Sequence, residues 1–165
     1  MSAGAGVRIR PATPADVAQI HAFIVELAEY ERAADQVTGT LAQLEESLFG
    51  PRPVAEALIA ELDGVPAGFA VFHSTFSTWE CRAGIWLEDL YVPERHRRAG
   101  VGRALLEHLA RLTVERGCPR LEWNALDWNE PALAFYERLG AARLSTWELH
   151  RLDGAALRRV AAGAD

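Results

Sequence analysis

The chain has 165 residues, of which 50% are hydrophobic and 24% are charged, a composition typical of one globular domain and too apolar for a disordered chain. Its formal charge of −6 argues against the broad basic surface of a nucleic-acid-binding protein. No run of residues has the length and apolarity of a transmembrane helix or a secretory signal, and two cysteines, Cys81 and Cys118, are too few for a disulfide framework. We therefore expect a cytoplasmic protein that binds neither nucleic acid nor a membrane.

The basic side chains are unusual in kind and in placement. All 17 are arginines, which excludes lysine Schiff-base chemistry and the lysine-bearing phosphate loop of P-loop NTPases. Residues 1–93 carry 13 acidic side chains and five arginines, whereas residues 94–120 carry seven arginines and three acidic side chains. This asymmetry is typical of a protein with one cationic and one anionic ligand, although a solvated arginine-rich helix would give the same charges.

Periodicity and capping patterns predict the elements of the first half. Residues 7–10 alternate in polarity and predict a first strand. Thr13 with the following Pro14 and Asp16 is typical of a helix start, and apolar residues at helical spacing carry this helix to about residue 32. A second capping pattern at Thr40 predicts a helix that Gly50 ends.

Strands and helices then alternate along the rest of the chain. Three strands are predicted over residues 54–62, 67–76 and 79–92, with a tight antiparallel turn at Asp63-Gly64 between the first two. The later elements are a helix over 102–115, a strand over 120–126, a helix over 129–139, strands over 142–152 and a helix over 153–162. This order predicts a mixed α/β sandwich in which helices pack on a largely antiparallel sheet. We expect a single domain over residues 1–165, with a core over residues 7–152 and a helical extension over 153–165.

A phosphate-binding pattern follows the strand predicted over residues 79–92. The segment Arg97-Arg98-Ala99-Gly100-Val101-Gly102-Arg103 opens directly into an amphipathic helix. Free backbone N–H groups at such a helix start form a nest for phosphate, the glycines allow a close approach, and the arginines add positive charge. A Rossmann dinucleotide site is disfavoured, because the pattern follows an antiparallel meander and lacks the third glycine of G-x-G-x-x-G.

On this segment the chain resembles the GNAT N-acetyltransferases, whose acetyl-CoA motif is Gln/Arg-x-x-Gly-x-Gly/Ala. The resemblance covers residues 9–152 and is closest to the diamine (spermidine/spermine) N-acetyltransferases. The segments that carry it are Ile9-Arg10-Pro11-Ala12-Thr13, Glu26-Leu27-Ala28-Glu29-Tyr30-Glu31, Leu87-Glu88-Asp89, and Trp128-Asn129-Glu130-Pro131 followed by Phe135-Tyr136. It implies a mixed, largely antiparallel sheet flanked by helices, with a splayed cleft between the fourth and fifth strands.

The resemblance implies acetyl-CoA as cosubstrate and no metal. Backbone amides beside a bulge in the fourth strand would hold the pantetheine arm and stabilise the developing oxyanion. The pyrophosphate would lie on the glycine loop, and the helix that begins near Asn129 would contact CoA from the other side. The implied cofactor residues are Leu90, Tyr91, Val92, Arg97, Arg98, Ala99, Gly100, Val101, Gly102, Arg103, Asn129, Ala132 and Tyr136.

The implied reaction is direct attack of an amine on the thioester, without an acyl-enzyme. An alkyl ammonium has a pKa of about 10, so a base must take its proton, and Glu88 is the expected base, acting directly or through water. Tyr136 holds the family's general-acid position and would protonate the departing thiolate. Two plainer interpretations stay open: Tyr136 as a core aromatic beside Phe135, and Glu88 as a solvated or substrate-pairing carboxylate.

The acceptor is expected to be a small cationic amine, such as a diamine, a polyamine or the lysine analogue thialysine. Family positions that line the amine pocket are matched by Tyr30, Glu31, Glu88 and Asp89, and the fifth strand would complete the pocket with Glu122, Trp123 and Asn124. The side chains at Glu122 and Asn124 differ from those of the polyamine enzymes. Glu137 and Leu139 stand where the diamine enzymes carry a basic residue that can reach CoA phosphate, so arginines of the loop would carry more of that binding.

Other interpretations remain beside this one. The acceptor could be an amino acid or an aminoglycoside, and the chain could be a CoA-binding regulatory module without turnover. The resemblance also implies a homodimer. The histidines show no metal-ligand spacing and are interpreted as structural or solvated, and three tryptophans are interpreted as packing or interface residues. These residues are His73, His96, His108 and His150, and Trp79, Trp86 and Trp128.

Overall fold

The structure is a computed structural model that describes residues 6–163. It divides into two compact units, the first ending at Asn124 and the second beginning at Ala125. In the described part of the first unit the strands are β1 (Val7–Pro11), β2 (Glu56–Leu62), β3 (Val65–Ser77), β4 (Arg82–Tyr91) and β5 (Leu121–Trp123), and the α-helices are α1 (Val17–Tyr30), α2 (Leu41–Phe49) and α3 (Val101–Glu115). The second unit contains α4 (Glu130–Arg138) and α5 (Gly154–Ala161).

The five strands form one sheet in chain order, β1-β2-β3-β4-β5. Every neighbouring pair is antiparallel except β4 and β5, which run parallel. The turn predicted at Asp63-Gly64 joins β2 to β3, and both residues have positive φ, as a two-residue hairpin turn requires. The predicted fold class, a mixed α/β arrangement with helices on a largely antiparallel sheet, is therefore confirmed.

Helices α1 and α2 cover one face of the sheet. Ile20 and Phe23 of α1 and Leu48 of α2 are buried in one cluster with side chains of β2, β3 and β4. Within it the rings of Phe23 and Phe69 stack with their centroids 5.7 Å apart. Because side chains alternate along a strand, Val71 and His73 of β3 lie on the same face as Phe69.

Helix α3 covers the opposite face. Gly68 of β3 lies against α3, since a Cβ there would come within 3.1 Å of the Val101 Cγ1 atom and 2.8 Å of the Tyr91 carbonyl oxygen. The absence of a side chain at Gly68 thus lets the start of α3 and the end of β4 approach β3 closely. The guanidinium of Arg116, just beyond α3, lies over the Phe72 ring, 5.7 Å from its centroid and within the distance of about 6 Å typical of cation–π contacts.

The strands predicted over residues 142–152 are wrong. These residues belong to no strand, and their apolar side chains Leu144, Trp147, Leu149 and Leu152 are exposed. A strand needs a neighbour to pair its backbone N–H and C=O groups, and the described sheet ends at β5. The spacing from Leu144 to Trp147 also breaks the period of two, so the pattern that favoured a strand was local and incomplete.

An ion-pair network fixes the first turn of the fold. Both guanidinium Nη atoms of Arg10 in β1 donate to the carboxylate of Asp16 at 2.8 Å, and its Nε donates to Glu61 of β2 at 2.7 Å. The same Asp16 carboxylate accepts from the backbone N–H and the hydroxyl of Thr13 at 2.8 and 2.9 Å. The acid three residues after Thr13 thus both caps the turn before α1 and ties it to two strands.

This network predicts a pH-dependent contribution to stability. The Arg10 guanidinium holds the pKa of Asp16 well below its usual range, so the carboxylate stabilises the fold above about pH 4 and loses that effect as the pH falls further. We expect Asp16→Asn to lower the free energy of unfolding by about 2 kcal/mol at neutral pH and to flatten its decline toward acid pH. Urea denaturation at a series of pH values measures both quantities. Exposed Asp35 supplies the control, Asp35→Asn, and an equal loss in that variant contradicts the assignment.

Candidate active site

A β-bulge in β4 shapes the candidate site. Leu87 pairs with Phe72 and Asp89 pairs with Val71, so Glu88 is an extra residue with no partner on β3. Leu87 lies on the α3 face with Phe72, whereas Asp89 lies on the α1 face with Val71. The insertion therefore reverses the alternation of β4 at this point.

The bulge brings two consecutive carboxylates to the same face of the sheet. The Glu88 Oε2 atom accepts a hydrogen bond from the Trp86 indole Nε1 at 3.0 Å and lies 3.7 Å from the His73 Nε2 atom. Trp86 and His73 are directly opposite each other on β4 and β3, on the α1 face. Without the bulge, Glu88 and Asp89 would point to opposite faces.

Three carboxylates lie near one another on this face, and burial and negative charge alter the ionisation of Asp89. Burial, together with the negative charges of Glu88 and Glu31, raises the pKa of Asp89 to about 6. Burial also raises the pKa of Glu31, which ends α1. We call Glu31, Glu88 and Asp89 the acidic cluster. Concentrated negative charge of this kind favours a cationic ligand.

Next to the acidic cluster, one edge of β4 is open. The pairing of β4 with β5 covers only Ile85 to Leu87, whereas β4 continues to Tyr91. On the β5 side, the backbone from Glu88 onward therefore has no strand partner among residues 6–163. This open edge includes Leu90, Tyr91 and Val92, and it can hydrogen-bond an extended, amide-containing ligand as a further strand would.

The loop after β4 has the geometry of an anion site. Arg98 and Gly100 both have positive φ, 65° and 81°, a backbone feature of the concave nests that bind anions. Gly100 caps α3, so the N–H groups of the first helical turn have no acceptor within the helix. Gly102 lies against the end of β4, because a Cβ there would be 3.7 Å from the Val92 side chain. The anion site and the open edge of β4 are thus continuous.

The three loop arginines have different environments. Arg97 donates from Nε to the Val92 carbonyl oxygen at 3.1 Å, and its guanidinium lies 4.7 Å from the Tyr30 ring centroid. Arg103 pairs with Glu107 one turn further along α3 at 2.8 Å. Within the described part of the chain, Arg98 makes neither an ion pair nor a side-chain hydrogen bond, and it is exposed beside the nest.

A second network of side chains joins the end of β4 to α1. The Tyr91 hydroxyl donates to the Glu26 carboxylate at 3.4 Å, and Arg95 approaches the same carboxylate oxygen at 3.6 Å. Burial, with a further effect of Glu26, raises the pKa of Tyr91. Since Glu26 belongs to α1, this helix contacts both the end of β4 and the loop that follows it.

The acceptor residues predicted on and just after β5 differ in their environments. Glu122 lies opposite Trp86 and Trp123 lies opposite Leu87, on the strand beside the bulge. The Glu122 carboxylate is already held by the Arg120 Nε atom at 2.9 Å. Asn124 follows the end of β5 and is exposed. A cationic ligand would have to displace Arg120 to reach Glu122.

The second unit carries the remaining predicted residues. Asn129 caps α4, and its Oδ1 atom accepts from the Ala132 N–H at 3.4 Å. Tyr136 is half-buried in the same helix, with its ring centroid 5.5 Å from that of Phe135. The polar cap and the aromatic pair that the sequence indicated are both present in α4.

The sequence interpretation assigned no function to His73 and Trp86, although both contact Glu88. Their contact depends on the register of β3 and β4, which no local pattern specifies. A hairpin assignment that paired Ser77 with Arg82 would have placed the two side chains opposite each other.

The described part of the chain contains neither a metal-binding group nor a membrane-spanning helix. Over residues 6–163 no group of three or more His, Cys, Asp or Glu side chains could hold a metal ion. Nor does any helix of this stretch combine the length and apolarity needed to cross a bilayer.

The chain is similar to characterised acetyltransferases over nearly its whole length. Residues 19–141 match the model of the acetyltransferase (GNAT) family. A thialysine N-epsilon-acetyltransferase of Bos taurus is 35% identical, with 94% of this chain and 97% of that enzyme covered. Spermidine/spermine N(1)-acetyltransferase-like protein 1 of Homo sapiens is 30% identical over 88% of this chain, which corresponds to 22% of that longer protein.

A solved structure has the same fold. The integron cassette protein VCH_CASS6 of V. cholerae superposes with a TM-score of 0.79 at 25% sequence identity, covering 96% of this chain and 99% of that one. The family match and the sequence relatives agree with the resemblance found at the glycine loop and at Leu87-Glu88-Asp89. The chain belongs to the GNAT acetyltransferase family and is an acyltransferase, with relatives consistent with the diamine-acetyltransferase branch.

Proposed function

We propose that this enzyme transfers the acetyl group of acetyl-CoA to the terminal primary amine of a small cationic acceptor, either a thialysine-like amino acid or a diamine. The observation that carries the proposal is the acidic cluster, Glu31, Glu88 and Asp89, beside the open edge of β4. The names of the thialysine and spermidine/spermine relatives point to the same chemical class of acceptor.

The acidic cluster would bind the acceptor by its positive charges. Asp89 and Glu31 are partly buried, so an ammonium group that replaces water there gains a stronger interaction than it would at the surface. Binding also relieves the repulsion among the three carboxylates. Because Arg120 occupies the Glu122 carboxylate, the proposal assigns acceptor binding to the cluster and leaves Glu122, Trp123 and Asn124 as walls of the pocket.

The cosubstrate would lie along the end of β4 and on the loop before α3. Acetyl-CoA supplies an activated acetyl thioester, a peptide-like pantetheine arm and a pyrophosphate. The open backbone edge at Leu90, Tyr91 and Val92 suits the arm, and the nest over Arg98 to Gly102 suits the pyrophosphate. A backbone N–H of that edge would also stabilise negative charge that develops on the thioester oxygen.

Two side chains would move protons in this reaction. Glu88 would take a proton from the acceptor ammonium, directly or through water, so that the neutral amine attacks the thioester. Tyr136 would give its phenolic proton to the departing thiolate sulfur, and Asn129 would orient the start of its helix toward CoA.

The primary test measures thiol release from acetyl-CoA with a panel of amines. Thialysine, lysine, putrescine, spermidine, spermine and an aminoglycoside cover the candidate acceptors. Saturable turnover with thialysine or a diamine supports the proposal, and turnover with the aminoglycoside alone replaces it with a different acceptor class. Acetyl-CoA binding without turnover on any amine favours a CoA-binding regulatory module.

The homodimer implied by the resemblance stays a prediction, which light scattering at micromolar concentration checks.

Arg98 is expected to matter most among the loop arginines. It lies beside the nest without a side-chain partner in the described chain, whereas Arg103 is paired with Glu107. Arg98→Ala should raise KM for acetyl-CoA by about tenfold, the scale of one lost charge-assisted contact, with little change in KM for the amine. Arg103→Ala is the matched control. Equal effects of the two substitutions on KM for acetyl-CoA would contradict this assignment.

Asp89 is expected to make acceptor binding depend on pH and to lower the free energy of unfolding. Because its pKa is about 6, the carboxylate loses its charge below that pH, and KM for the acceptor should rise as the pH falls. Asp89→Asn should raise that KM by at least about tenfold above pH 6 and remove the pH dependence.

The same substitution should make the protein more stable. The folded-state pKa of Asp89 lies above the unfolded value of about 4, so the group destabilises the fold as the pH rises from about 4 to 6. At pH 8, Asp89→Asn should increase the free energy of unfolding by about 1–3 kcal/mol. Urea denaturation measures this change with Asp35→Asn as control, and a loss of stability in Asp89→Asn would contradict the prediction.

Tyr136 is expected to act in catalysis rather than in binding. Tyr136→Phe should lower kcat by about 100-fold or more, because the phenyl ring fills the same space and has no proton to donate. Acetyl-CoA affinity, measured by calorimetry, should stay unchanged. Near-normal kcat in this variant would remove Tyr136 from the mechanism and leave it as a packing residue beside Phe135.

A further inference from the structure

We propose that His73 is a further residue of this reaction, which holds the proton that Glu88 takes from the acceptor and releases it to solvent. The inference rests on the proposed function, in which Glu88 is the base. It starts from the contact between the His73 imidazole and the Glu88 carboxylate across the β4 bulge.

The position of the His73 ring is set from both sides. On one side its Nδ1 atom lies 3.2 Å from the Ser74 carbonyl oxygen, and on the other its Nε2 atom lies 3.7 Å from the Glu88 Oε2 atom. The Trp86 indole N–H donates to the same carboxylate oxygen at 3.0 Å. The Trp86 indole therefore holds one oxygen of Glu88, the His73 ring lies beside the same oxygen, and Oε1 is engaged by neither side chain.

The Ser74 contact determines which ring nitrogen can receive a proton. A carbonyl oxygen only accepts hydrogen bonds, so Nδ1 must carry a hydrogen in this arrangement. In the neutral ring, Nε2 then presents its lone pair toward the Glu88 carboxylate. Two acceptors facing each other favour a proton between them, which makes Nε2 the natural destination for a proton that arrives at Glu88.

The proton transfer balances without another reactant. An N–H bond of the acceptor ammonium breaks and an O–H bond forms at Glu88, leaving a neutral amine. The O–H bond then breaks as an N–H bond forms at His73 Nε2, which restores the carboxylate and gives an imidazolium. That imidazolium loses its proton to solvent water, since the His73 side chain is 37% exposed and the Glu88 side chain 59% exposed.

The surrounding charges favour a transient imidazolium. On the α1 face, the charged groups near the pair are Asp89 of β4, Glu31 at the end of α1, and Glu122 of β5, which lies opposite Trp86 and is paired with Arg120 at 2.9 Å. On the neighbouring strand, Glu56 of β2 lies on the opposite face and is paired with Arg116 at 2.6 Å. Each cation among these groups is paired with a carboxylate, so the remaining negative charge of Asp89 and Glu31 favours a positive charge on His73.

His73→Gln tests this role through the pH profile of kcat at saturating acceptor. Glutamine can hydrogen-bond Glu88 but cannot hold a proton. In the unmodified enzyme, kcat should fall toward acid pH, because a His73 ring that already carries a proton accepts no second one. In His73→Gln, kcat at neutral pH should fall by about tenfold, and the acidic fall of kcat should move to lower pH by about one unit.

His73→Ala supplies a second, independent measurement. Because the side chain is partly exposed, its removal leaves a site that free imidazole can enter. Added imidazole should restore kcat of His73→Ala in proportion to its concentration and should leave kcat of His73→Gln unchanged. The matched control is His108→Gln on α3, which covers the other face of the sheet, and its pH profile should equal that of the unmodified enzyme.

The outcomes separate this inference from the function on which it rests. Loss of kcat with a displaced profile in His73→Gln, together with imidazole rescue of His73→Ala, supports the role. Turnover by the unmodified enzyme, with a parallel loss at every pH in His73→Gln and no rescue, overturns the role of His73 and leaves the proposed function intact. No thiol release from the unmodified enzyme with any amine overturns both.

Discussion

The candidate site depends on one extra residue in β4. The insertion at Glu88 places two consecutive carboxylates on the α1 face, where ordinary alternation would have separated them. The same strand then departs from β5 after Leu87, so its backbone is open at Leu90 to Val92. A cluster of negative charge thus lies directly beside a strand edge that has no partner on the β5 side in the described chain. The carboxylates at the bulge and the open edge both belong to β4, so the distance between them does not depend on loop motion.

The acidic cluster is tolerated because the rest of the first unit holds it in place. Three neighbouring carboxylates, with the pKa of Asp89 raised to about 6, work against folding at neutral pH. In the Arg10–Asp16–Glu61 network, by contrast, the carboxylates are matched by a base, and the Arg10 guanidinium lowers the pKa of Asp16. The stacked Phe23 and Phe69 rings anchor α1 to the sheet. The unfavourable charge is therefore confined to the surface where a cationic ligand would neutralise it.

Local patterns in the sequence predicted most elements but not the contacts that define the site. Capping at Thr13 and Thr40, the Asp63-Gly64 turn and the glycine at the start of α3 depend on neighbours within a few residues, so they could be predicted. The bulge at Glu88 depends on the register between β3 and β4, which is a long-range property. The contact between His73 and Glu88 depends on the same register, so it could not be predicted from local patterns. The strands expected over residues 142–152 failed for the same reason, because alternation says nothing about whether a partner strand exists.

The charge asymmetry of the sequence corresponds to an ordered series of negative, neutral and positive regions along β4 and the loop that follows it. Carboxylates stand at Glu88 and Asp89, the strand edge without a β5 partner follows at Leu90 to Val92, and the positive nest begins at Arg98. Arg97 lies between the strand edge and the nest. Its guanidinium stacks on the Tyr30 ring and its Nε atom donates to the Val92 carbonyl oxygen, so Arg97 connects the end of α1 to the end of β4. In the proposed reaction the amine, the thioester and the pyrophosphate would meet these regions in that order. Opposite charges on the two substrates would then fix their orientation along one strand, and the acetyl carbon would meet the amine where the bulge and the open edge adjoin.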